Sequence, residues 1–364
     1  MRIATLSNAA VIHTHRWVEY FRSRGHEVGV WSLERGPAEL GAHALPRLPL
    51  PGFARYPLAA VPLRRALAGF APDVVDAHYV PNYGMMGTLA GLRPLAVSAW
   101  GSDLLIAATR NPLQTARARF VLRRADAVLT DSLNLADAAL SLGAARERTH
   151  AIPWGVDLDR FRFRGVREPG LLLSTRMHDG VYDLETLLRG VKPVLERRPG
   201  TRLAIAGRGR LTPSLERLAA GLLPAGRYRF LGSLAHTELA EWLARAEVYL
   251  SASLSDSTSL SLLEAMASGA VPVVSDLDGN REWVAEGESA RLFPPGDAGE
   301  LARAVERALD DPSWAEQARA RNRRTVEERA DWSVNMMRIE ELFASLARRA
   351  ARARAPARPG GAAG

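Results

Sequence analysis

The chain of 364 residues contains no cysteine. Disulfide staples, thiol nucleophiles and thiolate metal sites are therefore excluded. Lysine is nearly absent too, with Lys192 the one instance, so the basic character rests on arginine. Aromatic residues make up only 7%. They are not interleaved with the basic runs, as they would be in a chain that stacks on nucleic-acid bases, so no nucleic-acid partner is expected. No apolar run approaches the roughly 18 residues of a membrane span. The start, Met1–Ser7, gives way to polar sequence too soon to be a secretory leader, and a cytoplasmic location is the expectation. His, Asp and Glu nowhere cluster at zinc spacing, and the pair Asp157 and Asp159 falls in an interdomain hinge. No metal and no other cofactor is expected. No glycine-flanked serine elbow is present, which removes the usual signal for a Ser–His–Asp hydrolase.

What is present is a globular composition, 47% hydrophobic and 24% charged. The length suggests two domains. Short apolar strands alternate with helical stretches, the pattern of parallel α/β sheets. Strands are predicted at 2–7, 27–32, 73–77, 95–99 and 126–130, with helices at 17–24, 57–70, 83–90, 112–124 and 133–142. A second series has strands at 171–175, 202–206, 228–231, 248–252, 271–275 and 291–293. Its helices fall at 184–197, 213–222, 237–245, 260–268 and 298–309. Both series read as doubly wound, Rossmann-like sheets. The predicted division is a first domain over 1–155, a linker over 156–170, a second domain over 171–313, a helix over 314–347 interrupted near Asp331-Trp332, and a basic disordered tail over 348–364. That tail holds Arg348, Arg349, Arg352, Arg354 and Arg358 with no acid, and it supplies most of the net charge of +8. Disorder is its first reading, contact with an anionic membrane the second.

The richest stretch runs from Asp256 to Val274. Asp256 and Glu264 are eight positions apart, and Glu264 stands among Leu262, Leu263, Ala265, Met266 and Ala267. A carboxylate so placed needs a specific partner. Ser257, Thr258 and Ser259 suit a helix start, where free N–H groups and the helix dipole attract anions. At about 1.5 Å per residue the two acids lie roughly 12 Å apart. That distance suits a grip on a sugar at one end and a ribose at the other, with a diphosphate between.

This stretch resembles the signature of the retaining glycosyltransferases of family 4, an acid, seven residues, then Glu in a Leu-Glu-Ala-Met-Ala setting before Pro-Val-Val. The segment Ile152–Phe161, with Pro153, Gly155, Val156, Asp157 and Phe161, resembles the family's interdomain segment, with Trp154 in place of the usual Asn. The resemblance spans roughly Arg2 to Leu346. It implies the GT-B fold, two Rossmann-like domains facing across a cleft, with a final helix returning to the first domain. It also implies transfer of a hexosyl or N-acetylhexosaminyl group from a nucleotide diphosphate sugar, a UDP-sugar favoured, to a hydroxyl of a glycan, a lipid-linked molecule or a small molecule, with retention and without metal. Peripheral contact with the inner face of a membrane fits such acceptors.

The resemblance distributes roles residue by residue. Arg176, after the strand at 171–175, is the candidate for the diphosphate and its developing charge. Asp256 is assigned to the sugar hydroxyls and Glu264 to the ribose. Ser257, Thr258, Ser259 and Leu260 form the anion-binding helix start. Gly207 in Gly207-Arg208-Gly209, and Phe230 and Leu231 in Phe230-Leu231-Gly232, are donor-side candidates whose backbone approaches the nucleotide. On the acceptor side stand Asn8, His15, Trp100 and Asp103, and His78 is the third candidate catalytic residue. Three positions depart from the family pattern. Val181 stands where a phosphate-binding Lys is usual, Trp100 where a His is usual, and Asn8-Ala9-Ala10 where a glycine pair is usual. Other classes remain open at this point: a GT-B sugar-nucleotide epimerase, a phosphorylase, a degenerate transferase, or a non-catalytic sugar-binding module.

Overall fold

The computed structural model describes residues 1–165 and 167–354. The chain divides into two compact units. Unit 1 comprises 1–131, 135–152 and the chain from Met336 onward, and unit 2 comprises 132–134 and 153–335.

Unit 1 is built on a seven-stranded sheet of β1 (Arg2–Leu6), β2 (Glu27–Ser32), β3 (His43–Ala44), β4 (Val74–His78), β5 (Leu95–Ser98), β6 (Ala127–Thr130) and β7 (Thr149–Ala151). The order is β3-β2-β1-β4-β5-β6-β7, with every pairing parallel. The inner strands are buried nearly throughout because helices cover both faces, as an all-parallel sheet requires. Unit 2 has six strands, β8 (Leu171–Ser174), β9 (Arg202–Ala206), β10 (Tyr228–Gly232), β11 (Val248–Ser251), β12 (Val271–Ser275) and β13 (Arg291–Phe293). Their order, β10-β9-β8-β11-β12-β13, repeats that of unit 1. Each sheet therefore has a switch point where strand order reverses, between β1 and β4 in unit 1 and between β8 and β11 in unit 2. In open α/β sheets ligands bind beyond the carboxyl ends of the strands at such points.

The sheet of unit 2 packs between two apolar layers. Leu187, Val191, Val194, Leu301 and Val305 lie on one face, and Leu243, Leu262, Leu263, Met266 and Trp283 on the other. Unit 1 has one large cluster that includes Leu6, Leu63, Tyr83, Met86, Val97 and Val121.

Several expectations change. The helix predicted over 57–70 forms as two, Gly52–Leu58 and Ala60–Leu67. The helix predicted at 83–90 is preceded by a π-helical turn at Tyr79–Gly84, and a second such turn spans Asp103–Ala107. The short edge strands β3 and β7 carry too little apolar patterning to be seen in sequence. The stretch expected as a linker packs into unit 2, with Phe161 1% exposed and Val156 N–H bonded to the Ala330 carbonyl at 2.7 Å. The helix predicted over 314–347 with an interruption near Asp331-Trp332 forms as Pro312–Arg329 and Trp332–Arg354, broken at that point. The second of these carries Arg348, Arg349, Arg352 and Arg354, so the expected disorder does not apply there, while Arg358 lies outside the described residues. Within unit 1 this helix is tied down by Glu340, which accepts from Tyr20 at 3.0 Å and from Arg24 at 3.2 Å, and meets His26 at 2.9 Å.

Candidate functional site

Strand β8 ends at Ser174, and the chain continues through Thr175 and Arg176 at the unit 2 switch point. Arg176 is 7% exposed. One terminal guanidinium nitrogen donates to Ser259 Oγ at 2.6 Å and Ser261 Oγ at 2.8 Å, and the other to Asp256 Oδ2 at 2.6 Å. The plane stacks on Tyr182, 4.2 Å from its ring centre. Burial is the largest influence and opposes the charge, but Asp256 together with Tyr249 and Tyr182 outweighs it, and Arg176 is held above its ordinary value. Arg176, Asp256 and Ser259, distant in sequence, are thus one cluster, joined by Ser261 and by Tyr249, whose hydroxyl meets Ser261 Oγ at 2.8 Å.

The helix Leu260–Ser268 starts at this cluster. Ser259 caps it, accepting from Leu262 N–H at 3.3 Å, and Gly269 ends it at φ +87°. Its first N–H groups have no acceptor within the helix. Ser257 and Thr258, just ahead of it, are 4% and 5% exposed, and Thr258 Oγ1 accepts from Trp283 Nε1 at 3.2 Å. Glu264 lies inside this helix, 8% exposed, and is engaged with neighbouring protein groups.

Polar atoms along the end of β8 are left over. Ser174 Oγ, Thr175 Oγ1, Arg176 Nε and His178 Nε2 are all buried without a protein hydrogen-bond partner. Buried polar groups are nearly always paired, so a run of four in five residues sets this strand end apart.

Beside this run lies a hollow of about 480 Å³ lined by His178, Arg208, Glu216, Phe230 and the glycines Gly207, Gly209 and Gly232. The loop Gly207-Arg208-Gly209 presses on the segment after β8. A Cβ on Gly209 would stand 2.3 Å from the His178 carbonyl oxygen, and one on Gly207, at φ +116°, 2.5 Å from that of Arg176. The glycines therefore serve close packing of two loops, and this also forms one wall of the hollow. Opposite, the β10–β9 ladder slips between Phe230 and Gly232, leaving Leu231 outside the register. His178 is 1% exposed; burial holds its imidazole below the ordinary value, Glu216 pulling the other way. Its Nδ1 lies 2.8 Å from Thr212 Oγ1, which already accepts from Gly209 N–H.

The unit 1 candidates behave differently. His78, at the end of β4, is 1% exposed, with Nε2 2.7 Å from Asp76 Oδ2 and Nδ1 3.2 Å from Ser7 Oγ. Ser7 continues to Thr14 at 2.8 Å, and Asp76 accepts from Ser98 at 2.8 Å. Both ring nitrogens are thus occupied, and Trp17 and Trp100 pack on the ring at 5.1 and 5.4 Å. The structure gives His78 an internal role in place of the expected catalytic one. Asp103 has no exposed surface; its carboxylate accepts from Val80 N–H at 2.9 Å, Trp100 N–H at 2.9 Å and Leu104 N–H at 3.1 Å. Burial pushes it up to about 6, the backbone donors opposing. It ties the two π-helical turns together. Asn8 closes its own turn, Oδ1 accepting from Ala10 N–H at 2.9 Å, and His15 Nε2 lies 2.7 Å from the Ala9 carbonyl. Trp100 is half-buried, as Asn8 and His15 are, and stands edge-on to His13 at 5.9 Å. Among the described residues no group of three or more His, Asp or Glu is placed to hold a metal ion.

Two family models match this chain. Residues 10–160 match Glycosyltransferase Family 4, and residues 168–311 match Glycosyl transferases group 1. The chain belongs to glycosyltransferase family 4.

Two curated relatives and one solved structure illustrate its neighbourhood. The family 4 chain is 28% identical over 357 residues to the sulfoquinovosyl transferase SQD2 of Arabidopsis thaliana, covering 89% of this chain and 68% of that protein. It is 28% identical over 352 residues to the phosphatidyl-myo-inositol mannosyltransferase of Mycolicibacterium smegmatis, covering 91% and 88%. Anabaena HepE in complex with UDP superimposes with a TM-score of 0.80 at 16% identity, over 95% of this chain and 100% of that one. The fold is GT-B, and the protein is a GT-B glycosyltransferase.

Sequence reasoning missed Tyr182, Tyr249 and Ser261 in this family 4 site, whereas His178 was legible as a stand-in for the usual Lys replaced by Val181. Ser259-x-Ser261 at a helix start beside an arginine was the available signal. The two tyrosines carry none, because only the tertiary structure brings them to Arg176 and Ser261.

Proposed function

We propose that this glycosyltransferase moves a hexosyl or N-acetylhexosaminyl group from a UDP-sugar to a hydroxyl of a glycan or lipid-linked acceptor, with retention at the anomeric carbon and without a divalent metal. The carrying observation is the buried, charged Arg176 at the unit 2 switch point, beside the Ser259-capped helix start and the run of unpartnered polar atoms. A diphosphate belongs where a fixed cation and helix amides converge. Arg176 then stabilises the charge that grows on the departing phosphate, the work that a metal does in other transferases. Asp256 receives sugar hydroxyls. Glu264 faces the ribose; its carboxylate has about four acceptor sites, enough to serve neighbours and ribose together. The hollow by Phe230 and Leu231 receives the base.

The step balances without a protein nucleophile. The bond from the anomeric carbon to the β-phosphate oxygen breaks, the acceptor oxygen bonds to the same face, and the acceptor proton passes to the leaving phosphate. The nucleoside diphosphate and the glycoside are the products. The UDP bound to HepE and the lipid named in the mannosyltransferase relative support the choice of donor and acceptor class.

Thermal shifts with UDP, GDP, ADP and dTDP, then with the matching sugars, test the donor, because a ligand that binds only the folded state raises its stability. UDP is expected to give the largest shift. Acceptor-dependent UDP release, unchanged by EDTA, with the product anomer matching the donor, is the expected reaction. An epimerised sugar nucleotide formed without acceptor would replace this reading with the epimerase.

A further inference from the structure

The guanidinium of Arg176 is anchored at its terminal nitrogens by Ser259, Ser261 and Asp256. Its Nε is buried and has no protein partner. The direction in which that N–H points is set by the guanidinium plane. One face of the plane rests on the ring of Tyr182, 4.2 Å from the ring centre. Tyr182 is itself half-buried and packs on the apolar cluster that includes Leu184 and Leu187.

The backbone is shaped to put that ring there. Tyr182 ends a single 3₁₀ turn, Gly180–Tyr182. Asp179 closes the turn from its start: its Oδ1 accepts from Gly180 N–H at 2.6 Å and its carbonyl from Tyr182 N–H at 3.0 Å. The Val181 carbonyl accepts from Leu254 N–H at 2.8 Å, which ties the turn to the loop after β11. The next residue, Asp183, stands at φ +41°, a left-handed conformation that residues other than glycine seldom adopt. Its carboxylate caps the following helix, Leu184–Arg197, accepting from Thr186 N–H at 3.3 Å. Strain of this kind persists where surrounding contacts impose it, and it gathers at functional sites. Here the contacts that impose it also fix the ring against Arg176.

We propose that Tyr182 is a positioning residue for the transfer: its ring holds the Arg176 guanidinium in the plane that aims Nε at the donor diphosphate. This rests on the UDP-sugar reading of the site. It also answers the departure at Val181. With no lysine there to share the phosphate charge, binding depends on the aim of the single arginine.

Calorimetric titration of the full chain and its variants with UDP tests it. Tyr182→Phe keeps the stack and should bind UDP within about twofold of the parent protein. Tyr182→Leu keeps apolar bulk without the ring face and should weaken UDP about tenfold, the order of a desolvated cation–π contact. In the Arg176→Ala background the same Leu substitution should cost less than about twofold, since the group it steadied is gone. Thermal unfolding of the unliganded proteins reports packing separately. Equal losses in Tyr182→Phe and Tyr182→Leu would assign the role to the hydroxyl and overturn the proposal. So would a Tyr182→Leu protein that unfolds earlier yet binds UDP normally, or a loss that persists undiminished without Arg176. A parent protein that binds no UDP overturns the donor reading and this proposal together. A parent that binds UDP, with Tyr182→Leu unchanged, overturns this proposal alone.

Discussion

Both units repeat one strand order, and so present the same crevice between their first and fourth inner strands, yet they fill it in opposite ways. In unit 1 the side chains at the ends of β1 and β4 are mostly bonded to one another, although Thr5 Oγ1 on β1 is buried without a protein partner. Ser7, His78, Asp76 and Ser98 satisfy one another, and two tryptophans cover the ring. In unit 2 the ends of β8 and β11 hold a buried cation, its acid and serine partners, and polar atoms with nothing to bond. Strand order marks where a ligand can bind. On the proposed function, the crevice whose polar atoms are less fully spent is the one expected to bind.

Substitutions should therefore strike turnover in unit 2 and stability in unit 1. The largest expected effect is Arg176→Ala, with kcat down by about 10²–10³-fold, measured as UDP release under saturating acceptor. Arg176→Lys should recover part of it. A variant that kept more than a tenth of the rate would move the reacting centre elsewhere. Next, His78→Ala strands the buried Asp76 and should cost about 3–5 kcal/mol in urea unfolding, while kcat of the folded fraction stays within a few-fold. Loss of rate with an unchanged unfolding midpoint would erase the contrast between the units.

A pH series sharpens it further. Asp103 keeps its proton up to about pH 6 in the folded protein, against an ordinary value of 3.8. Between those values the folded state binds the proton and the unfolded chain does not, so stability falls as pH rises through this window and levels off above it. The full change is about 3 kcal/mol. Asp103→Asn should lose that slope relative to the parent protein. The smallest effect expected is Ser259→Ala, about 1 kcal/mol from the lost cap, with a rise in donor KM because Arg176 loses one of its fixings.

The strands and most helices were legible because a parallel sheet buried on both faces leaves unbroken apolar runs such as Leu171–Ser174 and Val271–Ser275. The spacing of Asp256, Ser259 and Glu264 carried the site as far as one helix start. It could not show that Asp256 is bound to Arg176, eighty positions earlier, because that depends on β8 lying beside β11. Asp103 was misread for a similar reason. Two of its three donors, Trp100 and Leu104, are close in sequence, but Val80 comes from another loop, and its hydrogen bond leaves the carboxylate fully enclosed. Trp100 and Val181 show that departures from the family pattern are legible as departures, whereas what compensates for them requires the tertiary structure.

The clasp between Arg176 and Asp256 has one more consequence. An inorganic anion drawn to the guanidinium must pull it from the carboxylate and leaves that carboxylate stranded. A molecule that brings an anion for one member and hydroxyl donors for the other re-engages both at once. On the proposed function the pair is expected to act as a double-key lock, turning away free phosphate and opening to a ligand that joins the two chemistries in one body.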